Sequence, residues 1–495
     1  MFIIRAIIAL LLILGFYGIA LGLIVLLLYV PYASWVYGGY FSPRESGFCV
    51  FGVLVIAYAV WPRREFFLAP GPRLASDAHP RLSALLTEVA QSAKLRMPDE
   101  LYLIPEVNAW VSRRGGRMFS GGRMVMALGL PLLAVLTPSQ LRAVLGHEFG
   151  HEQGGDTALG GWIYGTRLAI LRAGQEIRSS GWYGFLMYPL LWYSKIFLRV
   201  TTAIARRQEL SADAQAARIA GAAVAGQVLV TIETATTAFD RYLKTEVIPV
   251  LERGYRPPLG EGFRRFFQNQ QEVSAHRAIE TPPDSKKADP YQSHPPLKER
   301  LSALGDPVID VGKRDETTAL SLLENPESFE PDLLGRLTNQ TVSRRAKPIT
   351  WEELAGPEGV ELVHGASWTA LLKECGPGLG GTRVRDLAGH AKDPEAFGRK
   401  LTRRKMMSKD YVGLANQIVG IALVRTLQKA GWSIRKEPGL PLRLQKEPAI
   451  LEPHEVFARL REDAYAAEWR KECDRLGIDS LELGNGMDRG QDRAS

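Results

Sequence analysis

His147 and His151 stand four positions apart in the run HEFGH, with Glu148 directly after the first of them. On a helix, residues i and i+4 project from one face, so the two imidazoles can reach a single metal ion. Neutral imidazole nitrogen is a good zinc ligand at about 2.0–2.1 Å. Glu148 is turned about 100° around the axis from His147, near such an ion without having to bind it, where a general base should be. A catalytic zinc needs a third protein ligand and one open position. Glu209, in the helical stretch RRQELSADAQAARIAG that begins at Arg206, is the best candidate, far enough from His151 to return on a second helix. Asp213 lies four residues on, on the same face, where it can accept the spare ring N–H of a ligand histidine and fix its tautomer. The bland alternative is a helix with two incidental histidines and another with ordinary exposed charges. The combination of the two stretches speaks against it.

Four pieces occur in order: Asn108-Ala109-Trp110, then HEFGH, then Glu209 with Asp213, then His294-Pro295 followed by Arg300 in SHPPLKERLSAL. Together they resemble the HtpX-like and CAAX-prenyl-protease group of membrane zinc metallopeptidases, over roughly residues 75–305. The resemblance implies a zincin-type (gluzincin) fold, mainly α with a small β-sheet, and one Zn2+ per chain on His147, His151 and Glu209. It implies that Glu148 takes a proton from zinc-activated water and passes it to the leaving amine. His294 and Arg300 are the family-based candidates for donors to the tetrahedral intermediate. Without the family pattern, His294 beside two prolines reads as a rigid loop residue. Asn108, Ala109 and Trp110 would hold an extended substrate by strand addition, where main-chain hydrogen bonds give affinity. The sequence departs from the group in having only two or three candidate spans, and residues beyond 310 match neither pattern.

These side chains need elements to carry them. Thr137 is placed to cap the HEFGH helix, Pro138 suits its first position, Gln140 completes a capping box, and Gly154-Gly155 ends it. Upstream, residues 80–96 put Leu82, Leu85, Leu86 and Val89 on one helical stripe. Leu101–Ile104 and Arg123–Leu128 read as strands, with Gly115, Gly116, Gly121 and Gly122 turning between them. Residues 182–198 are apolar and aromatic, but Pro189 and Lys195 interrupt them, so an interfacial or core helix is favoured over a span. Ile279–Pro296, rich in proline and charge, reads as loop.

From Ala6 to Val30 the chain runs twenty-five residues without a charge, long enough to cross about 30 Å of hydrocarbon. A cleaved signal peptide would have a shorter apolar core and a richer basic start, so an uncleaved anchor is expected. Ser46–Trp61 is shorter, roughly 24 Å as a helix, and makes the second arm of a hairpin. Arg44 is offset by Glu45 in the link, whereas Arg63, Arg64, Arg73 and Arg81 follow the second arm. By the positive-inside tendency both ends then face the cytoplasm of a bacterial cell membrane.

The chain divides on this reading into an anchor (1–64), a metallopeptidase domain (65–310) and an α-rich accessory domain (311–495) with a disordered tail from about 484. In the last, 411–430 and 453–476 are expected helices, and Trp432–Glu437 with Leu440–Gln445 a hairpin about Pro438-Gly439. The net charge of +8 suits an anionic membrane surface, and no nucleic-acid module accompanies it. Three scattered cysteines make no disulfide framework. The basic run GRKLTRRKMMSK from Gly398 reads first as a solvated face, with anionic lipid or a partner as the alternative. His364, His390 and His454 lack ligand spacing. The function expected is a zinc endopeptidase acting on protein or peptide substrates at a lipid bilayer. The rival is a non-catalytic membrane scaffold with a structural zinc, whose site would be closed by a fourth protein ligand.

Overall fold

The computed structural model describes residues 2–61, 67–114, 122–153, 188–277, 295–308 and 317–483, with the single positions 166 and 170. By contact the chain forms two compact units, Met1–Thr236 with Pro282–Phe329, and Thr237–Thr281 with Glu330–Ser495.

The first unit opens with two apolar helices, α1 (Phe2–Val36) and α2 (Pro43–Val60). Ser42 caps α2 through its side-chain oxygen, which accepts from the Glu45 N–H at 3.4 Å. Ile13, Phe16 and Ala20 of α1 bury themselves against Ile56, Ala59 and Val60. The other faces carry Leu14, Leu21, Val25, Leu26 and Leu54, all exposed. Such a surface is stable in hydrocarbon and costly in water. Leu10–Val36 and Pro43–Val60 are long and apolar enough to cross a membrane, close to the expected spans.

The sheet follows, with β1 (Arg73–Leu74), helix α3 (Pro80–Ser92), and then β2 (Glu100–Ile104), β3 (Ala109–Arg114) and β4 (Arg123–Gly129). Helix α3 buries the expected stripe of Leu82, Leu85, Leu86 and Val89. The strand order is β1-β2-β4-β3, with β2 parallel and β3 antiparallel to β4, so β3 is an edge. Buried Glu100 ties the open end of the β3–β4 pair to β2 by ion pairs with Arg114 and Arg123. Most of the expected glycine turn lies outside the described residues.

A short helix α4 (Leu130–Val135) leads into α5 (Pro138–Gln153). The capping box at its start forms as the sequence predicts: the Thr137 N–H donates to Gln140 Oε1 at 3.0 Å, and the Gln140 N–H to Thr137 Oγ1 at 3.2 Å. The expected stop at Gly154-Gly155 lies outside the described residues. Next come α6 (Tyr188–Ala220), α7 (Ala222–Tyr242), a π-helical turn Leu243–Val247, α8 (Ile248–Leu251), α9 (Leu259–Arg277) and α10 (Leu297–Ala303). Gly221, with φ +92°, makes the break between α6 and α7 that a residue with a Cβ would resist.

The first turns of α6 contain the described part of the 182–198 stretch. Leu190 and Phe197 join the α1–α2 cluster, and the Tyr193 hydroxyl donates to the Leu12 carbonyl at 2.9 Å. Gly15 leaves the space that Tyr193 fills, since a Cβ there would lie 2.2 Å from its hydroxyl oxygen. Ala222–Leu251 is a third helix long and apolar enough to span, which the sequence reading did not single out. Its C-terminal part stacks Phe239 and Tyr242 on Phe263 and pairs Glu246 with Lys436 at 2.8 Å, within the second unit.

In the second unit, helix Ser408–Lys429 runs through the core, burying Ile418, Val419, Ile421, Leu423, Val424 and Leu427. The expected hairpin is present as Ser433–Arg435 against Arg443–Lys446, and a third strand, Ala449–Leu451, extends it. The expected helix 453–476 is two, Pro453–Arg459 and Asp463–Leu476. Leu460, buried, turns the chain inward between them, and no Pro or Gly marks the break. All three cysteines are free and buried.

Candidate metal centre and its edge strand

Two glycines decide how closely α5 and α6 approach. Gly146 and Gly150 lie one turn apart on the face of α5 that meets Ala212 and Ala216 of α6. A Cβ on Gly150 would lie 2.9 Å from Ala212 Cα, and one on Gly146 3.3 Å from Ala216 Cα. The backbones are therefore nearly in contact, and side chains flanking this seam face each other over a short gap. His147 and His151 flank it on α5, Glu209 and Asp213 on α6.

Across the gap His147 Nε2 and His151 Nε2 are 3.2 Å apart. His151 Nε2 lies 3.6 Å from Glu209 Oε1, and His147 Nε2 3.8 Å from Glu209 Oε2. A tetrahedral ion with bonds of about 2.0–2.1 Å sets its ligand atoms about 3.3 Å apart. The three side chains fit that requirement after closure by a few tenths of an ångström. Among the described residues they are the one group of three or more His, Cys, Asp or Glu side chains so clustered, and no fourth joins them.

The supports lie behind the ligand atoms. His147 Nδ1 is 3.0 Å from Asp213 Oδ1, the arrangement in which Nδ1–H donates to the carboxylate and Nε2 keeps its lone pair for the gap. Arg300, on α10, grips Asp213 with two hydrogen bonds, Nε to Oδ2 at 2.8 Å and Nη2 to Oδ1 at 2.6 Å. Its Nη2 also lies 3.7 Å from Glu209 Oε2. Burial would lift the Asp213 carboxyl, which is only 2 % exposed, but the hydrogen bonds from Arg300 and His147 outweigh it and hold the pKa below the ordinary value. Asp213 is therefore an anion at neutral pH. Removing that charge with Asp213→Asn should lower metal affinity about 10–100-fold, as read by competition with a chelating dye. Unchanged affinity would mean that the ring is oriented by other contacts.

Glu148 lies beside this group, between it and the sheet. Its carboxylate faces the backbone N–H of Val111 on β3, whose polarity favours the anion. Burial raises its pKa above the ordinary carboxylate value, against the pull of the two imidazoles. The Gly129 N–H donates to the Asn108 carbonyl, so residues 108, 110, 112 and 114 face β4 and residues 109, 111 and 113 turn their backbone groups outward. Of those outward groups, the Ala109 N–H is taken by Asn108 Oδ1 at 2.9 Å. Trp110 is half-buried against Tyr102, Ile104, Val125 and Ala127 and contributes packing rather than an outward edge.

The structure thus brings together His147, Glu148, His151, Glu209, Asp213 and Arg300, and sets Ala109 and Trp110 on the adjoining strand with Asn108 directly before it. His294 lies outside the described residues. The sequence reading missed Gly146 and Gly150, although two glycines one turn apart inside a helix are a visible signal of close packing. It also missed Glu152, whose buried carboxylate is ion-paired to Arg113 and fastens the edge strand to the last turn of α5.

Residues 76–308 match the peptidase family M48. A protease HtpX homolog of Thermoplasma acidophilum is 28% identical over 238 residues, which is 45% of this chain and 72% of the relative. The protease HtpX of Xanthomonas axonopodis pv. citri is 28% identical over 232 residues, 43% of this chain and 68% of its own length. That of Haemophilus influenzae (strain PittEE) is 25% identical over 233 residues, 43% and 69% respectively. The matched segment contains every residue of the centre.

Proposed function

We propose, from the premise that residues 76–308 carry an M48 peptidase domain, that the chain is a membrane-anchored zinc-dependent endopeptidase. The observation that carries this reading is the convergence of His147, His151 and Glu209 within 4.8 Å of one another, with Glu148 beside them. Bound to those three, zinc would lower the pKa of water toward neutrality and polarise a peptide carbonyl.

The remaining work falls to the chain. An extended peptide laid along β3 meets the outward carbonyls of Ala109 and Val111, which hold its main chain with little side-chain selection. Glu148, beside the Val111 N–H, takes the proton of the attacking water on a carboxylate oxygen and returns it to the leaving nitrogen. Asp213 fixes the His147 ring, and Arg300 keeps Asp213 ionised. Arg300 commits Nε and Nη2 to that pair, so a donor role toward the developing oxyanion falls to its Nη1, with His294 as the second candidate.

The apolar helices α1 and α2 support attachment to a bilayer, and the arginines after α2 favour the cytoplasmic face for the catalytic part. Substrates are then membrane-associated or misfolded proteins, with quality control of membrane proteins as the cellular role. Residues 311–495 are an accessory region to that activity. Purified in a bilayer mimetic, the protein should contain one zinc per chain and cleave an unfolded polypeptide. Chelation should abolish cleavage, and one equivalent of zinc should restore it. Tight binding of one zinc with no cleavage of any unfolded substrate would make the site structural and the chain a scaffold.

A further inference from the structure

Helices Pro394–Leu401 and Ser408–Lys429 of the second unit are joined by a loop, residues 402–407, that ends in Met406 and Met407. Met407 is 62% exposed and Met406 38%. The loop is not left to find its own shape. Buried Tyr411 places its hydroxyl between two backbone groups, accepting from the Met406 N–H at 3.0 Å and donating to the Arg404 carbonyl at 3.0 Å. Thr402 Oγ1 accepts from the Arg404 N–H at 3.2 Å, and the Arg399 guanidinium lies over the Tyr411 ring at 4.7 Å. These contacts keep the two methionines turned outward.

Around them lie six cations. Arg399 is paired with Glu395 and Arg404 with Glu374. Lys400, Arg403, Lys405 and Lys409 form no ion pair among the described residues. We propose that the 402–407 loop is a peripheral attachment to an anionic bilayer, with Met406 and Met407 entering the interfacial region and Arg403, Lys405 and Lys409 meeting lipid phosphate. Two side chains offer far less apolar surface than the roughly 800 Å² that each partner brings to a stable protein interface. A bilayer asks for no such area. It rewards a small apolar wedge and each added cation separately. A site too weak to hold a soluble protein is sufficient here, because the apolar helices make its encounter with lipid intramolecular. The proposal rests in that respect on α1 and α2 spanning the bilayer.

The test uses the full-length protein in liposomes, with an environment-sensitive dye on Met407→Cys and, separately, on Val25→Cys of α1. The three native cysteines are buried, and the unsubstituted protein gives the background. Spin-labelled lipid should quench the dye at 407 in bilayers containing phosphatidylserine and not in phosphatidylcholine alone. Replacing Arg403, Lys405 and Lys409 by Gln together should weaken the attachment about fivefold per cation, on the order of 100-fold in all. Quenching at 25 with none at 407 in the anionic bilayer overturns the proposal. Absence of quenching at both overturns the anchoring of α1, and this proposal with it. Shielding of 407 by added polyglutamate but not by lipid would make the loop a protein-docking site and would also overturn it.

Discussion

Glu148→Gln should lower peptide cleavage roughly a hundredfold to ten-thousandfold while the protein keeps one zinc per chain. The substitution preserves shape and leaves one acceptor oxygen to face the Val111 N–H, so the fold should be undisturbed. What is lost is the capacity to take a proton. His147, His151 and Glu209 form the metal group without Glu148, so metal content should not change. Cleavage at the parental rate by this variant would move the base elsewhere. Loss of the metal would make Glu148 a ligand.

The second large effect is expected from a single methyl group. Gly150→Ala places a Cβ 2.9 Å from Ala212 Cα, a contact between backbones that no rotamer can relieve. Helices α5 and α6 must then separate, and Glu209 moves away from the two imidazoles. Overpacking of this kind typically costs about 1–3 kcal/mol. It opposes the gain of roughly 1 kcal/mol that alanine brings over glycine inside a helix. We expect zinc affinity to fall at least about tenfold, the loss that follows when ligands are left misplaced. Gly413→Ala is the control, since a Cβ there meets nothing within 4 Å and the propensity gain should appear alone. Unaltered zinc binding by Gly150→Ala, measured beside that control, would show that the helix seam does not set the ligand geometry.

How much of this was legible in the sequence depends on range. The HEFGH helix, its capping box and the apolar stripe of α3 depend on residues within a turn or two of one another, and local chemistry determines them. Glu209 and Asp213 were legible because two spacings, i to i+4 in each of two helices, had to serve one ion. The glycine seam was readable in principle, but only the partner helix shows what the missing Cβ atoms would strike. The Arg113–Glu152 pair and the strand Ala449–Leu451 depend on pairings that spacing does not announce. The division of 453–476 was hidden for another reason: nothing between Leu460 and Glu462 disfavours a helix, and tertiary packing of Leu460 overrides local preference. The short strand segment β3 was recognised as an edge by resemblance, yet its outward groups belong to Ala109 and Val111 rather than Trp110, because alternation is set by the register with β4.

Helix α6 is one uninterrupted rod, and it touches α1 near its start while offering Glu209 about two-thirds of the way along. Tyr193 in the pocket left by Gly15 fastens the rod to α1, about 24 Å of helix from Glu209. A tilt of only about 5° at that joint would sweep the carboxylate through about 2 Å, as long as a zinc–ligand bond. Were α1 and α2 to span a bilayer, the same joint would carry a lean imposed by acyl-chain length toward the carboxylate that completes the ligand group.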